Sequence, residues 1–159
     1  MVGIGVAGPA PSRLSDTGSL VRALDDSEWT VQQGALDALR ERARTEPAAL
    51  STLTQALQHR SWMVRQGAAQ ALGALGPVAA PAVPALIATL KDADWLVRFG
   101  AVQALGRLGP TAVPAIGALL QARADGDPMV REAAGAALKN LAEQVPSARD
   151  TIQRGLDLK

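Results

Sequence analysis

The sequence predicts an all-α fold: a right-handed solenoid of about four helical hairpins of 33 residues each, closed by a C-terminal capping helix. Three observations carry this prediction. The stretch Asp92–Pro110 occurs in recognisable form four times. Its key columns step by 33: Val31, Val64, Val97, Val130, then Ala35, Ala68, Ala101, Ala134, then Leu39, Leu72, Leu105, Leu138. A second set of columns, Leu20, Leu53, Leu86, Leu119, has the same period and continues to Ile152. A fixed period of this size marks stacked supersecondary units, each too small to bury its apolar face alone.

The 159 residues are 48% hydrophobic but only 3% aromatic, so the apolar content is mainly Ala, Leu and Val, which suits close helix-on-helix packing. The chain has no Cys, which removes disulfides and thiolate metal sites. Sixteen basic and fifteen acidic residues leave a net charge of +1, too small to favour non-specific binding to nucleic acid or to an acidic membrane surface. Met1–Gly18 is rich in Gly, Pro and Ser and lacks the basic start of a signal peptide. The apolar run Pro77–Leu90 is cut by Pro81 and Pro84 and falls short of the roughly 20 residues a membrane helix needs. A soluble cytoplasmic protein is expected.

In chain order, residues 1–14 read as a flexible lead and 15–159 as one repeat domain, with repeats at about 16–45, 46–77, 78–110 and 111–144 and a capping half-repeat at 146–158. The first outer helix spans about Asp16–Asp26, with Leu20, Ala23 and Leu24 on one face. The inner helices are expected over 29–44, 62–75, 95–108 and 128–143. Thr45-Glu46-Pro47 reads as a cap with Pro in the first turn, Ser61, Asp94 and Asp127 as N-caps, and Pro128 as a first helical residue. Gly76-Pro77 and Gly109-Pro110 stop the second and third inner helices. The column Leu24, Leu57, Leu90 is broken by Arg123, which suggests that the fourth outer helix ends a turn early or tilts. The Ala column 38, 71, 104, 137 is unbroken, and a small side chain there lets neighbouring helices approach closely.

Two further columns bear on function. Arg65, Arg98 and Arg131 follow the Val column, and Asp26, Asp92, Asp94, Asp125 and Asp127 lie near the preceding turns. Arg65, Arg98 and Arg131 with Asp92 and Asp125 read as a structural ladder between repeats. Gln32 and His59 occupy ladder positions in the early repeats, so the ladder is expected to weaken there. The other column is Trp29, Trp62, Trp95, at the start of three inner helices. Four and eight residues on lie Gln33 and Asp37, Gln66 and Gln70, Phe99 and Gln103. In the fourth repeat this stripe reads Pro128, Glu132, Ala136. Helices stacked about 8–10 Å apart would align these residues into a groove with flat apolar platforms and amides, suited to an extended peptide. The plainer reading is that each Trp packs over the seam between repeats. Even then a partly exposed Trp row can serve as an interaction surface.

Enzyme signatures are absent. One His supports no Ser/His/Asp arrangement, and His59 reads as a surface residue in a turn rather than a metal ligand. Gly3, Gly5 and Gly8 form a glycine series without the strand and helix a phosphate loop needs. Arg40, Arg42, Arg44, Arg107 and Lys139 cluster loosely at inner-helix ends, but Gln, Gly and Asp fill the middle, so there is no basic stripe for nucleic acid.

The run Asp-x-Asp-Trp-x-Val-Arg followed by Gly-Ala-x-x-Ala-Leu-Gly-x-Leu-Gly, at 92–109, resembles the short HEAT-like repeat of the phycobilisome-lyase type. Ankyrin and tetratricopeptide repeats have similar periods, but this chain has no Thr-Pro-Leu-His and no Tyr. The resemblance covers about residues 17–158. It implies the HEAT-like solenoid and is nearly silent on activity, because scaffolds, adaptors, chromophore lyases and enzyme appendages all carry the repeat. HEAT-like hydroxylases use His-Glu pairs, and none occurs here. The leading expectation is a non-enzymatic scaffold or adaptor that binds a protein or extended peptide on its concave face, without cofactor or metal. The alternative is a chromophore-lyase-like chaperone subunit or an enzyme-associated HEAT module, with nucleic-acid binding a third, weaker class.

Overall fold

Helical punctuation explains the architecture of the computed structural model, which describes residues 16–158. The segment 1–14, expected as a flexible lead, lies outside the described residues. The order is α1 (Thr17–Leu24), α2 (Trp29–Ala43), α3 (Pro47–Ala56), α4 (Trp62–Leu75), α5 (Val83–Thr89), α6 (Trp95–Arg107), α7 (Ile116–Ala122), α8 (Pro128–Gln144) and α9 (Pro146–Asp157). Two 3₁₀ segments, Gly76–Ala82 and Gly109–Ala115, precede α5 and α7. There is no strand among the described residues. The inner helices stack in the order α2, α4, α6, α8, each carrying its own outer element, and α9 packs on α7 and α8. This is an α-solenoid.

The outer elements come in two forms. Where Gly occupies the end of the inner helix, at Gly76 and Gly109, the backbone takes φ of 60° and 59°, a left-handed conformation that costs glycine little. The following Pro77 and Pro110 start a 3₁₀ segment, and a two-turn α-helix completes the outer layer. Where the same column holds Ala43 or Ala142, the inner helix runs on, to Ala43 and Gln144, and the next outer helix begins directly at Pro47 or Pro146.

This punctuation also settles the membrane question for the apolar run Trp62–Thr89. By length and composition that run could cross a bilayer, and it starts earlier than Pro77. It is not one rod: the left-handed Gly76 divides it into an inner helix and an outer element of the same stack.

The columns form the core. Leu20, Leu53, Leu86 and Leu119 are fully buried, as are the inner-helix residues Ala35, Ala68, Ala101, Ala134, Val64, Val97 and Val130. Ile152 extends the outer column into α9 and is buried as its register predicts. At the seams, a Cβ built on Gly73 would lie 2.9 Å from Ala104 Cα, and one on Gly106 would lie 3.2 Å from Ala137 Cβ. The first distance excludes a side chain and the second leaves it tight, so the Gly residues work with the Ala column to bring α4, α6 and α8 together.

Several local expectations need correction. The hydroxyl of Ser61 makes no capping hydrogen bond, although Ser61 is the N-cap residue by backbone. Within Thr45-Glu46-Pro47 the N-cap of α3 by backbone is Glu46, with Pro47 in the first turn as expected, but it too makes no side-chain bond, and Thr45 donates back to the Arg42 carbonyl. Asp94 and Asp127 do cap, accepting from Leu96 N–H and from Met129 and Val130 N–H. Arg123 does not shorten its helix: α5 ends at Thr89 and α7 at Ala122, 33 residues on. Arg123 is instead turned to the surface.

Candidate functional site

The ladder rests on a bidentate geometry built at each turn before an inner helix. Arg65 Nε donates to Asp92 Oδ2 at 2.7 Å and Nη2 to Oδ1 at 2.9 Å. Arg98 repeats the fork on Asp125 at 2.8 and 2.9 Å. In each case Nη1 donates to two carbonyls of its own turn, His59 and Arg60 for Arg65, Asp92 and Ala93 for Arg98. The carboxylates also accept the N–H two residues on, from Asp94 and Asp127. One guanidinium thus ties its own turn to the next repeat.

The electrostatics follow. Burial pushes the Asp92 carboxyl up, but hydrogen bonds from Arg65 and the Asp94 N–H outweigh it and hold the group below its ordinary value. Asp125 is held low chiefly by the Arg98 hydrogen bond against its own burial. The same bond raises Arg98. Arg131 makes only the carbonyl half, to Asp125 and Gly126.

The first seam is built differently. Gln32, nearly buried, takes the Arg position and donates to the Asp26 carbonyl at 2.7 Å, the same backbone half that each Arg makes. Its Oε1 is buried without a partner. Asp26 occupies the carboxylate column and accepts only from Glu28 N–H. His59 is not a freely exposed turn residue, since its side chain is only 15% exposed. It stands where Asp92 and Asp125 stand, and its Nδ1 accepts from Ser61 N–H at 3.0 Å as those carboxylates do. Nε2 therefore carries the proton and meets Asp25 Oδ1 at 3.1 Å, which also pairs with Arg60. The ladder in this seam is thus replaced, with Asp25 as the acceptor.

The Trp row lies on the surface. Trp29, Trp62 and Trp95 are each the first residue of α2, α4 and α6, and they are 57%, 40% and 40% exposed. They do not line the concave groove. That groove, of about 220 Å³, gathers Gln33, Asp37, Gln70 and Gln103 over a floor of Gly67, Ala71 and Ala74. It continues between α6 and α8 as a recess of about 190 Å³ that shares Gln103 and Arg107 and adds Asn140. Gln66 and Phe99 lie elsewhere. Gln66 packs over the seam, where a Cβ on Gly100 would touch its Cγ, and Phe99 is half-buried against the core. Arg40, Arg107 and Asn140 also line the groove. Arg107 and Asn140 are one turn beyond Gln103 and Ala136 on the same stripe, so carrying that stripe on by four residues finds them. Arg40 pairs with Asp37 at 3.4 Å, and its Nε is buried without a partner.

Each amide in the groove offers both a donor and an acceptor, and the Ala and Gly floor lets a backbone approach. No group of three or more His, Cys, Asp or Glu residues that could hold a metal occurs among the described residues.

The stack of helical hairpins is a repeat scaffold fold, the form typical of protein-interaction modules. The chain belongs to the HEAT repeats family, whose model matches residues 18–83 and 83–157. It is similar to a designed armadillo repeat protein in complex with the peptide (KR)4: 22% identity, 89% of this chain and 71% of that one, TM-score 0.68. It is similar to human deoxyhypusine hydroxylase in complex with glycerol, at 28% identity over 86% of this chain and 45% of that one, TM-score 0.66. A third likeness is to the complex of CpcE and CpcF of phycocyanin lyase from Nostoc sp. PCC7120, at 23% identity over 84% and 55% of the two chains, TM-score 0.57. No curated protein matches the sequence.

Proposed function

We propose that this chain is a non-enzymatic scaffold that holds an extended segment of a partner protein along its concave face. The observation that carries the reading is that Gln33, Gln70 and Gln103, one from each of three stacked helices, line one groove, and Gln103 and Asn140 line the recess beside it, with small residues between them. Amides at the spacing of stacked helices match the repeating N–H and C=O groups of an extended backbone. The exposed Trp29, Trp62 and Trp95 supply apolar anchor points at the helix starts. A likeness in fold to a designed repeat protein with a bound peptide supports this mode. The groove here carries Arg40 and Arg107 against a single Asp37, so a strongly basic peptide is not the expected occupant.

The test is affinity capture from the native cell extract with the intact chain and two variants, Gln70→Ala/Gln103→Ala and Trp62→Ala/Gln66→Ala, each checked for unchanged helical circular dichroism. A partner held by the intact chain and lost with the Gln70/Gln103 pair is expected. A partner retained by both variants would return the amides and the Trp row to a packing role.

A further inference from the structure

The C-terminal end of the stack carries a recess with a different chemistry. At the inner seams, Gly73 and Gly106 let the next helix approach. The same column at the last inner helix is Lys139, exposed on α8. Beside it is a recess of about 210 Å³ between α8 and α9, floored by Leu138, Ile152 and Leu156. Arg123, just after α7, Lys139 on α8 and Arg149 on α9 ring it. No carboxylate among the described residues lines it. Glu132, Glu143, Asp150 and Asp157 lie on the same helices, yet no ion pair to any of the three cations occurs among the described residues. Arg149 Nε donates to the Ala142 carbonyl, which fixes its stem across the rim. Arg123 stands where the other repeats have Leu24, Leu57 and Leu90, so a cation replaces an apolar residue at the edge of the recess.

We propose that this recess is a second docking site, separate from the concave groove, for a peptide that inserts one apolar side chain between acidic neighbours. Three unpaired cations around an apolar floor are complementary to an anionic rim with an apolar centre. The volume is below the roughly 300–1,000 Å³ usual for small-molecule sites, which favours one anchoring side chain over a whole ligand. Arg is among the residue types enriched where a few side chains dominate binding.

The experiment titrates the intact chain into a fluorescein-labelled peptide Glu-Asp-Leu-Phe-Asp-Glu and reads anisotropy. Two control peptides carry Ala-Ala in place of Leu-Phe, or Lys in place of every acid. Saturable binding is expected, at least about tenfold weaker for both controls and weakening with added salt. Arg123→Leu, which restores the residue type of the other repeats, and Lys139→Gln, at an exposed position, should each lower affinity with unchanged circular dichroism. The Gln70→Ala/Gln103→Ala variant should bind as the intact chain does, which separates this site from the concave one. Equal binding of the Ala-Ala control would reduce the effect to bulk charge and overturn the proposal. So would loss of binding in the Gln70/Gln103 variant, retention in both Arg123→Leu and Lys139→Gln, or no saturable binding at all.

Discussion

The first seam of the stack and the two that follow it are built on the same period from different residues. Between the second and third repeats, and between the third and fourth, Arg65 and Arg98 fork onto Asp92 and Asp125, and Gly73 and Gly106 let the helices close up. Between the first and second, Gln32 and His59 hold the ladder positions, Arg40 stands in the Gly column, and a buried amide oxygen is left without a partner. Val31 keeps 9% of its surface exposed where Val64, Val97 and Val130 keep none. The geometry of a repeat is thus set by its apolar columns, while its coupling to a neighbour is set by a few polar and glycine positions that vary independently. In a stack where each unit depends on its neighbours, the first repeat is then the one expected to open first.

Truncation in the middle of the stack has the largest expected effect. Leu72, fully buried on α4, should lose about 2–5 kcal/mol on replacement by Ala, the usual range for a buried Leu. Leu39 occupies the same column and is also fully buried, but it lies beside the weaker seam. Leu39→Ala should therefore release mainly the first repeat, seen as early hydrogen exchange in α1 and α2. A urea midpoint unchanged by Leu72→Ala, or global unfolding alone in Leu39→Ala, would break the contrast.

Removing one ladder arm comes next. Arg98→Ala leaves Asp125 partly buried without its cation, which should cost about 2 kcal/mol, between an exposed pair and a fully buried one. Gln32→Ala removes one neutral bond to the Asp26 carbonyl and also the orphaned oxygen, so it should cost less than about 1 kcal/mol. Equal losses in urea denaturation would show that the two seams are coupled alike.

The ladder also ties the later seams to acid. Asp92 and Asp125 have folded pKa values below the ordinary 3.8. Their contribution is therefore complete above that value and is lost as pH falls through the lower folded values. The urea midpoint should drop on acidification below about pH 4, and Asp92→Asn with Asp125→Asn should flatten that drop. An unchanged acid limb in the double variant would move the acid sensitivity to other carboxylates.

The fold was legible in the sequence because every repeat places the same residue in the same environment. Val, Ala and Leu at a step of 33 can only be a shared core, and Ile152 revealed the capping helix through register alone. The Arg–Asp ladder was legible for the same reason. What the columns could not convey was local or three-dimensional. Ser61 has the right type for a cap but makes no bond, and Arg123 breaks a column without shortening its helix. The two forms of outer element follow from whether Gly or Ala closes the preceding inner helix, a distinction hidden in four positions. The concave groove was half legible. The stripe Gln33, Asp37, Gln70, Gln103 was on the right face, but periodicity does not say how far along a helix the curvature opens a groove. The groove therefore extends toward Arg107 and Asn140 and leaves Trp29, Trp62 and Trp95 outside it.

The smallest effect is the most specific test of the comparison. If the ladder is modular, Gln32→Arg with His59→Asp should transplant it into the first seam. The backbone half is already in place, since Gln32 reaches the Asp26 carbonyl where Arg65 and Arg98 reach theirs. The Asp would take over the bond from Ser61 N–H that His59 Nδ1 now accepts, and the new guanidinium would fork onto it. The swap also removes the orphaned Gln32 oxygen and gives up the His59 contact with Asp25. The net gain should be about 1 kcal/mol, and the double-mutant coupling should exceed either single change. Slower hydrogen exchange in α1 and α2 with unchanged exchange in α8 would place the gain in the first seam. No coupling between the two substitutions would mean that Arg40, which holds the place of Gly73 and Gly106, keeps the first seam too wide for the fork to close.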